Sequence, residues 1–389
     1  MSNYSIHTLP PDNGKNAEFS VVYTTRSLGS MSAPFVEVMQ QLLGTLKSTY
    51  NAEHAIILPG SGSYAMEAVA RQLVHPVAGE AGPVVVRNGF FSYRWSEILD
   101  FMGGGTTDHT VLMAEGVGSG PLLQYKPMDA RAIAERIVDL RPPVVFMPHV
   151  ETSTGILLDD GDIKVISAAA REVGALVVLD CIASGCVWVD MKECGVDVLI
   201  SAPQKGWSGP AGTGLVMLSA EAKKRIDEGP QSTSFALDLK KWGGIMKAYE
   251  GGGFGYHCTM PTDSIRVFNA VAEESKLIGM ANLKASQLDL GVKFRRMLES
   301  KGLRSCAAPE CAAPGVLVYY SPEGVDNVAM VKKFLGQDIQ IAAGVPWKLG
   351  EPDGQKTFRV GLFGLDKLED VDACVDKFEK GLDEILKGI

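Results

Sequence analysis

The sequence predicts an α/β protein, a large domain built on a mostly parallel sheet followed by a smaller α+β domain. Three observations carry this. Short Val/Ile/Leu runs without polar alternation recur through the first two thirds of the chain, as in strands covered on both faces. Helix-patterned stretches separate them, the repetition that builds a parallel sheet. After Pro261 the order changes to long helices with a few strands between them.

In order, positions 1–20 read as a loosely held arm, 21–260 as the large domain and 261–389 as the small one. Ser20–Thr24 is an apolar run of strand length only. Ala55–Leu58 is a strand closed by Pro59-Gly60, and Tyr64–Val74 is a helix with Met66, Ala70 and Val74 on one face. Val84–Val86 is the next strand, and a helix runs from about Tyr93 to Met102. Val144–His149 and Ala175–Asp180 are strands, and the helix between them, from Ile163 to Val173, ends at Gly174. Val198–Ser201 and Gly214–Leu218 complete the series. Beyond Pro261 a long helix, with room for a break, spans Asp263 to Glu299 and carries Ile265, Phe268, Val271, Leu277 and Leu288. Val316–Tyr320, Ile339–Ala342 and Phe358–Leu362 are strands; Asn327–Leu335 and Leu368–Leu386 are helices.

Composition narrows the class. The 389 residues are 46% hydrophobic, enough for a large core. A net charge of −9, with acids and bases interspersed, argues against nucleic acid as a partner. The N-terminus has neither a basic stretch nor an apolar one, so no signal peptide is expected. No apolar run approaches the roughly 20 residues of a membrane helix. Seven scattered cysteines read as reduced, buried thiols in a cytoplasmic protein. Neither Cys181/Cys186 nor Cys306/Cys311 has a histidine nearby or zinc spacing, so no structural metal is expected.

The chemistry starts at Asp180 and Lys205. An acid at a strand tip, followed by a lysine in the Gly/Ser-rich run Ser201–Gly214, suits pyridoxal 5′-phosphate (PLP). The carboxylate would keep the pyridine nitrogen protonated, and the amine would form the Schiff base to the cofactor aldehyde. Gly60-Ser61-Gly62-Ser63 follows a strand and opens a helix, a turn whose N–H groups suit a phosphate. Gln204 offers a second phosphate donor. No P-loop pattern is present. In Asn88-Gly89-Phe90-Phe91-Ser92-Tyr93-Arg94-Trp95 an aromatic could cover one face of a planar ring, while at least two of Phe90, Phe91 and Trp95 are expected in the core. These polar positions, with His149–Thr154, all fall just after expected strands, where ligands gather in such sheets.

The order of motifs resembles the class V, fold-type I PLP-dependent aminotransferases, specifically the alanine–glyoxylate and serine–pyruvate group. It comprises Gly-Ser-Gly, Asn-Gly-aromatic-aromatic, His149–Gly155, Asp180–Ser184, Ser201–Lys205, Tyr256–Pro261 and Phe358–Gly361, and spans Asn51 to the C-terminus. The resemblance implies an aspartate-aminotransferase-like fold and transamination between a small amino acid and a 2-oxo acid such as glyoxylate or pyruvate. Lys205 and Asp180 would be catalytic; Phe91 would stack on the ring, where relatives often have Trp. Ser61, Gly62, Ser63 and Gln204 would hold the phosphate, and Thr152 would lie near the phenolic oxygen. Tyr256 and Thr259 would reach the other subunit's cofactor, making a homodimer. Arg359 would clamp the substrate carboxylate, a task suited to a bidentate guanidinium; from the residues alone it reads as a strand-end surface arginine.

One departure is the first segment, Tyr23–Met31, where relatives carry a Gly-Pro-Gly-Pro-like turn. Arg26 there is either a ligand for a second anionic substrate group or a surface residue. An aminophosphonate transaminase shares all of these features. A PLP lyase or cysteine desulfurase fits less well: Gln204 precedes Lys205 where desulfurases have His, and Cys306 and Cys311 sit in an Ala/Pro-rich stretch unlike a mobile cysteine loop. A PLP-binding sensor without turnover is disfavoured by the joint presence of Lys205, Asp180 and Arg359.

Overall fold

In the computed structural model, which describes residues 16–75, 81–103 and 108–388, the chain winds a central sheet before it builds a second, smaller one. The strands are β1 (His54–Pro59), β2 (Val84–Arg87), β3 (Thr110–Met113), β4 (Glu115–Val117), β5 (Gln124–Lys126), β6 (Val144–Pro148), β7 (Leu176–Asp180), β8 (Val198–Ser201), β9 (Thr213–Leu218), β10 (Val316–Tyr320), β11 (Ala342–Ala343) and β12 (Thr357–Gly361). The central sheet has the order β1-β9-β8-β7-β6-β2-β3. β9 runs antiparallel to both neighbours, and the other six strands share one direction. The uniform apolar runs are explained directly: β6, β7, β8 and β9 are buried along their whole length.

Helices α1 (Ala33–Tyr50), α2 (Gly62–Leu73), α3 (Phe90–Gly103), α4 (Ala130–Leu140), α5 (Asp160–Val173), α6 (Met191–Cys194), α7 (Ala220–Glu228) and α8 (Leu239–Glu250) belong to this first part. Then follow α9 (Thr262–Ile278), α10 (Met280–Ser300), α11 (Asn327–Leu335), α12 (Leu365–Glu369) and α13 (Val371–Leu386). The long helix expected from Asp263 is two helices. They part at Gly279, whose φ of +97° an L side chain rarely adopts. α9 packs against α1, and β10, β12 and β11 form the second sheet beneath α10, α11 and α13.

Several expectations are corrected. Positions 1–15 of the expected arm lie outside the described residues, and residues 20–24 are bends and loop. The strand expected at Ile339–Ala342 shrinks to Ala342–Ala343, an edge pair on β12. The helix expected from Tyr93 starts at Phe90, because the Ser153 hydroxyl and the Glu151 carboxylate accept its first N–H groups. Of the three aromatics in that segment only Trp95 is core, stacked 4.3 Å from Phe146; Phe90 and Phe91 are half-buried.

Candidate active site

The carboxyl ends of the parallel strands meet in a cavity of about 190 Å³. It is lined by Ser61, Gly62, Ser63, Phe91, Thr152, Asp180, Gln204 and Lys205, eight of the residues singled out from sequence. Met66, Arg94, Val150, Ile182 and Ala183 complete the wall.

Each residue is placed by its element. Asp180 ends β7 and is 8% exposed; its Oδ1 accepts the Ile182 N–H at 2.9 Å, which fixes the carboxyl plane. Burial raises its pKa to about 6, with the nearby Glu151 adding to the rise and Arg94 and Lys205 opposing it. Lys205 sits in the loop after β8. That loop is held by Ser208 N to Lys205 O (3.0 Å) and Gly209 N to Pro203 O (2.9 Å). Gly206 must be glycine, since a Cβ would lie 2.0 Å from the Gly185 carbonyl. Burial, and secondarily the Arg359 charge, push the Lys205 pKa below its ordinary value, with Asp180 pulling the other way.

Ser61 caps α2 by position, yet its side chain makes no capping bond. The first turn of a 12-residue helix is therefore left facing the cavity with its hydroxyl unused. That is the observation a phosphate-bearing cofactor fits. Phe91 adds a ring to the lining, and Asp180 an acceptor for a ring nitrogen. The residues present suit PLP.

Arg359, on β12, reaches the same region: its guanidinium carbon lies 5.7 Å from the Phe91 ring centre, and its Nε donates to the Ala343 carbonyl at 2.9 Å. Tyr256 and Thr259 do not join the cavity of their own chain. Both are exposed, and their hydroxyls lie 3.3 Å apart. Arg26 is on an exposed turn, its N–H bonded to Thr24 Oγ1 at 3.3 Å, and does not line the cavity either.

Three residues of the site carry no role from sequence, although His149 and Glu151 lie in the His149–Thr154 stretch singled out there. Glu151 is fully buried and accepts from Phe91 N, Ser92 N, Ser92 Oγ, Ser153 N and Ser153 Oγ at 2.7–3.1 Å. His149 is buried with Nδ1 2.7 Å from Ser184 Oγ, and burial drives its pKa down to about 3. Arg94 donates from Nη1 to Ser63 Oγ at 2.8 Å and stands 5.2 Å from the Phe91 ring centre. Glu151 and His149 lay in a quoted motif after a strand, so their position was a usable signal. Arg94 is three residues, nearly one helical turn, from Phe91, which would have put both on one face.

A parallel-sheet edge carrying a half-buried lysine, a buried strand-end aspartate and a phosphate-ready helix start defines a PLP enzyme of the α/β class. The chain belongs to the class-V aminotransferase family, whose sequence model matches residues 17–373, and it is a PLP-dependent aminotransferase. It is 27% identical over 368 residues to a Synechococcus sp. (strain PCC 6716) protein bearing the name soluble hydrogenase, small subunit (92% of this chain, 88% of that one). It is 27% identical to the L-aspartate–glyoxylate aminotransferase of Paracoccus denitrificans (strain Pd 1222), covering 86% and 78%. To alanine–glyoxylate aminotransferase 1 of Saccharomyces cerevisiae it is 25% identical, covering 87% and 86%. Among solved structures, an alanine–glyoxylate aminotransferase from Nostoc sp. superposes with a TM-score of 0.78 at 22% identity, over 92% and 89% of the two chains, so the two share the fold. No described helix is long and apolar enough to cross a membrane.

Proposed function

We propose that this aminotransferase moves the amino group of a small amino acid to a 2-oxo acid acceptor such as glyoxylate or pyruvate. The observation that carries the reading is that Lys205, Asp180 and the unused α2 start share one small cavity, with Arg359 at its side. Two relatives whose names specify glyoxylate as the acceptor support it.

PLP, when bound, supplies an aldehyde carbon and an electron-accepting ring. Asp180 holds the ring nitrogen protonated; with a pKa of about 6 it is mostly ionised near neutral pH even before a cation arrives. Lys205, its pKa lowered by burial, gives up its own proton more readily than a free lysine and is the base that takes the proton from the substrate Cα. Phe91 covers one ring face, Thr152 orients the phenolic oxygen, and Ser61, Gly62, Ser63 and Gln204 bind the phosphate. Arg359, held by its Nε, presents its two Nη groups to the substrate carboxylate. The expected kinetics are ping-pong.

The reading includes a homodimer in which Tyr256 and Thr259 complete the partner's site. Its support is that Tyr256 is 61% exposed, two residues from exposed Phe254, and that its chain neighbour His257 packs on exposed Phe235, an apolar surface suited to a second copy. It also includes a division of the chain near residue 260. A cytoplasmic setting is supported by seven free thiols.

The test offers alanine, serine, aspartate and 2-aminoethylphosphonate singly to the PLP form and measures pyridoxamine phosphate. Glyoxylate and pyruvate are then used to regenerate the starting form. At least one donor should convert wild type and none should convert Lys205→Ala. A wild type inert to every donor would overturn the reading.

A further inference from the structure

We infer that Arg94 is the cation of the phosphate end of the site: its guanidinium binds the cofactor phosphate together with Ser63, a role additional to those read from the motifs. The inference rests on the proposed PLP site.

The geometry is specific. Arg94 Nη1 donates to Ser63 Oγ at 2.8 Å, and Ser63 is in the first turn of α2, where the N-cap hydroxyl is unused. Arg94 and Arg359 both approach the Phe91 ring, at 5.2 and 5.7 Å, but they are tied to different elements. Arg94 is tied to the α2 start, and Arg359 to the Ala343 carbonyl of the second sheet. Two anions are expected in the site, a phosphate and a substrate carboxylate, and the two guanidiniums divide them.

Charge balance points the same way. Ser61, Ser63 and Gln204 are neutral, and Lys205 is committed to the cofactor's aldehyde end. Among the described residues lining the cavity, Arg94 is then the cation left for a phosphate dianion. Arg94 has no described carboxylate in salt-bridge contact; its one hydrogen bond is to a hydroxyl. A guanidinium so placed is free to form charge-assisted bonds to phosphate oxygens.

The test compares PLP with pyridoxal, which lacks the phosphate, by titrating apoprotein of wild type, Arg94→Gln and Arg94→Lys and following bound chromophore. Arg94→Gln should weaken PLP binding roughly 10- to 100-fold, the range for losing a charged hydrogen bond. Pyridoxal binding should stay within about twofold under the same rule, since it offers no anion to the lost charge. Arg94→Lys should fall between for PLP, keeping the charge but not the fork. If Arg94→Gln does not fold, Arg94→Lys alone carries the test through a severalfold loss confined to PLP. Equal losses for both ligands would mean that Arg94 acts on the ring through Phe91, and no loss for either would mean no role; both overturn the inference. Failure of wild type to bind PLP would overturn the proposed site with it.

Discussion

Glu151→Gln should destabilise the apoprotein and disturb the ring-covering aromatic together. In wild type, Oε1 accepts from Phe91 N (3.1 Å), Ser153 N (3.0 Å) and Ser153 Oγ (2.8 Å), while Oε2 accepts from Ser92 N (2.9 Å) and Ser92 Oγ (2.7 Å). A carboxamide has one oxygen, which can keep the first set. Its NH₂ then faces the Ser92 N–H, donor against donor, in a fully buried place. The Ser92 hydroxyl can turn toward the Gly89 carbonyl, 3.0 Å away, so it is spared. The stranded donors cost about 1–3 kcal/mol. Losing an anion at the start of α3 adds about 0.3–1 kcal/mol. The sum, about 1.3–4 kcal/mol, would be read from urea unfolding of apoprotein. The visible circular dichroism of bound PLP should weaken in parallel, because Ser92, the residue next to Phe91 in the α3 turn, loses its acceptor. A variant within about 0.5 kcal/mol of wild type, the usual spread for a surface change, would refute the assignment of this carboxylate as the anchor of the turn.

Three further outcomes are expected. Asp180→Asn should keep PLP but slow the half-reaction by at least about 10²–10³-fold, the scale of a lost preorganised charge; a rate within tenfold of wild type would show that another group protonates the ring. His149→Gln should flatten the acid limb of stability. The folded histidine stays neutral to about pH 3 while the unfolded one protonates below its ordinary 6.5, so stability falls as pH drops, by about 1.6 kcal/mol between pH 6.5 and 5. Parallel pH profiles for variant and wild type would contradict this. Lys205→Ala mixed with the Tyr256→Phe/Thr259→Ala double variant should regain activity through one native site per heterodimer; exchange without recovery would place Tyr256 and Thr259 outside the partner's site.

Much of this was legible because apolar runs and their termini carry the information. β6, β7 and β8 are buried on both faces, so their sequence is apolar up to the tip, and the polar residue that ends or follows each (His149, Asp180, Ser201) is at the ligand edge. Asp180 and Lys205 were found this way. α1 was legible too: Ser32 caps it through Phe35 N, Asn51 ends it in the left-handed region, and Phe35, Met39, Leu42, Leu43, Leu46 and Tyr50 form one buried face opposite the exposed Gln40, Gln41 and Gly44. β3 and β11 are short edge strands, and edges lack the double burial that marks a strand in sequence. Arg94 and Glu151 were hidden for another reason. Their roles depend on partners 31 and 59–60 residues away, a separation no local pattern encodes.

The electrostatics of the fold explain why the site keeps its cations unpaired. Ion pairs such as Lys47–Glu250 and Lys301–Asp383 lie on the surface, where each contributes about 0–1 kcal/mol. Arg94, Lys205 and Arg359 are instead drawn to one side of an acidic chain with only a hydroxyl or a carbonyl, or no described hydrogen bond, for company. Burial lowers the pKa of both Lys205 and Arg359, so holding them there opposes folding. The two buried carboxylates nearest them do not relieve this by direct pairing. Asp180 is turned to the Ile182 N–H, and Glu151 is saturated by five donors of the α3 turn. Positive charge without a protein counterion, next to an uncapped helix start, leaves anion-binding capacity that a phosphate and a carboxylate would fill. In this reading the fold gives up local stability to keep an anion-ready site, and recovers it through whatever binds there by mass action.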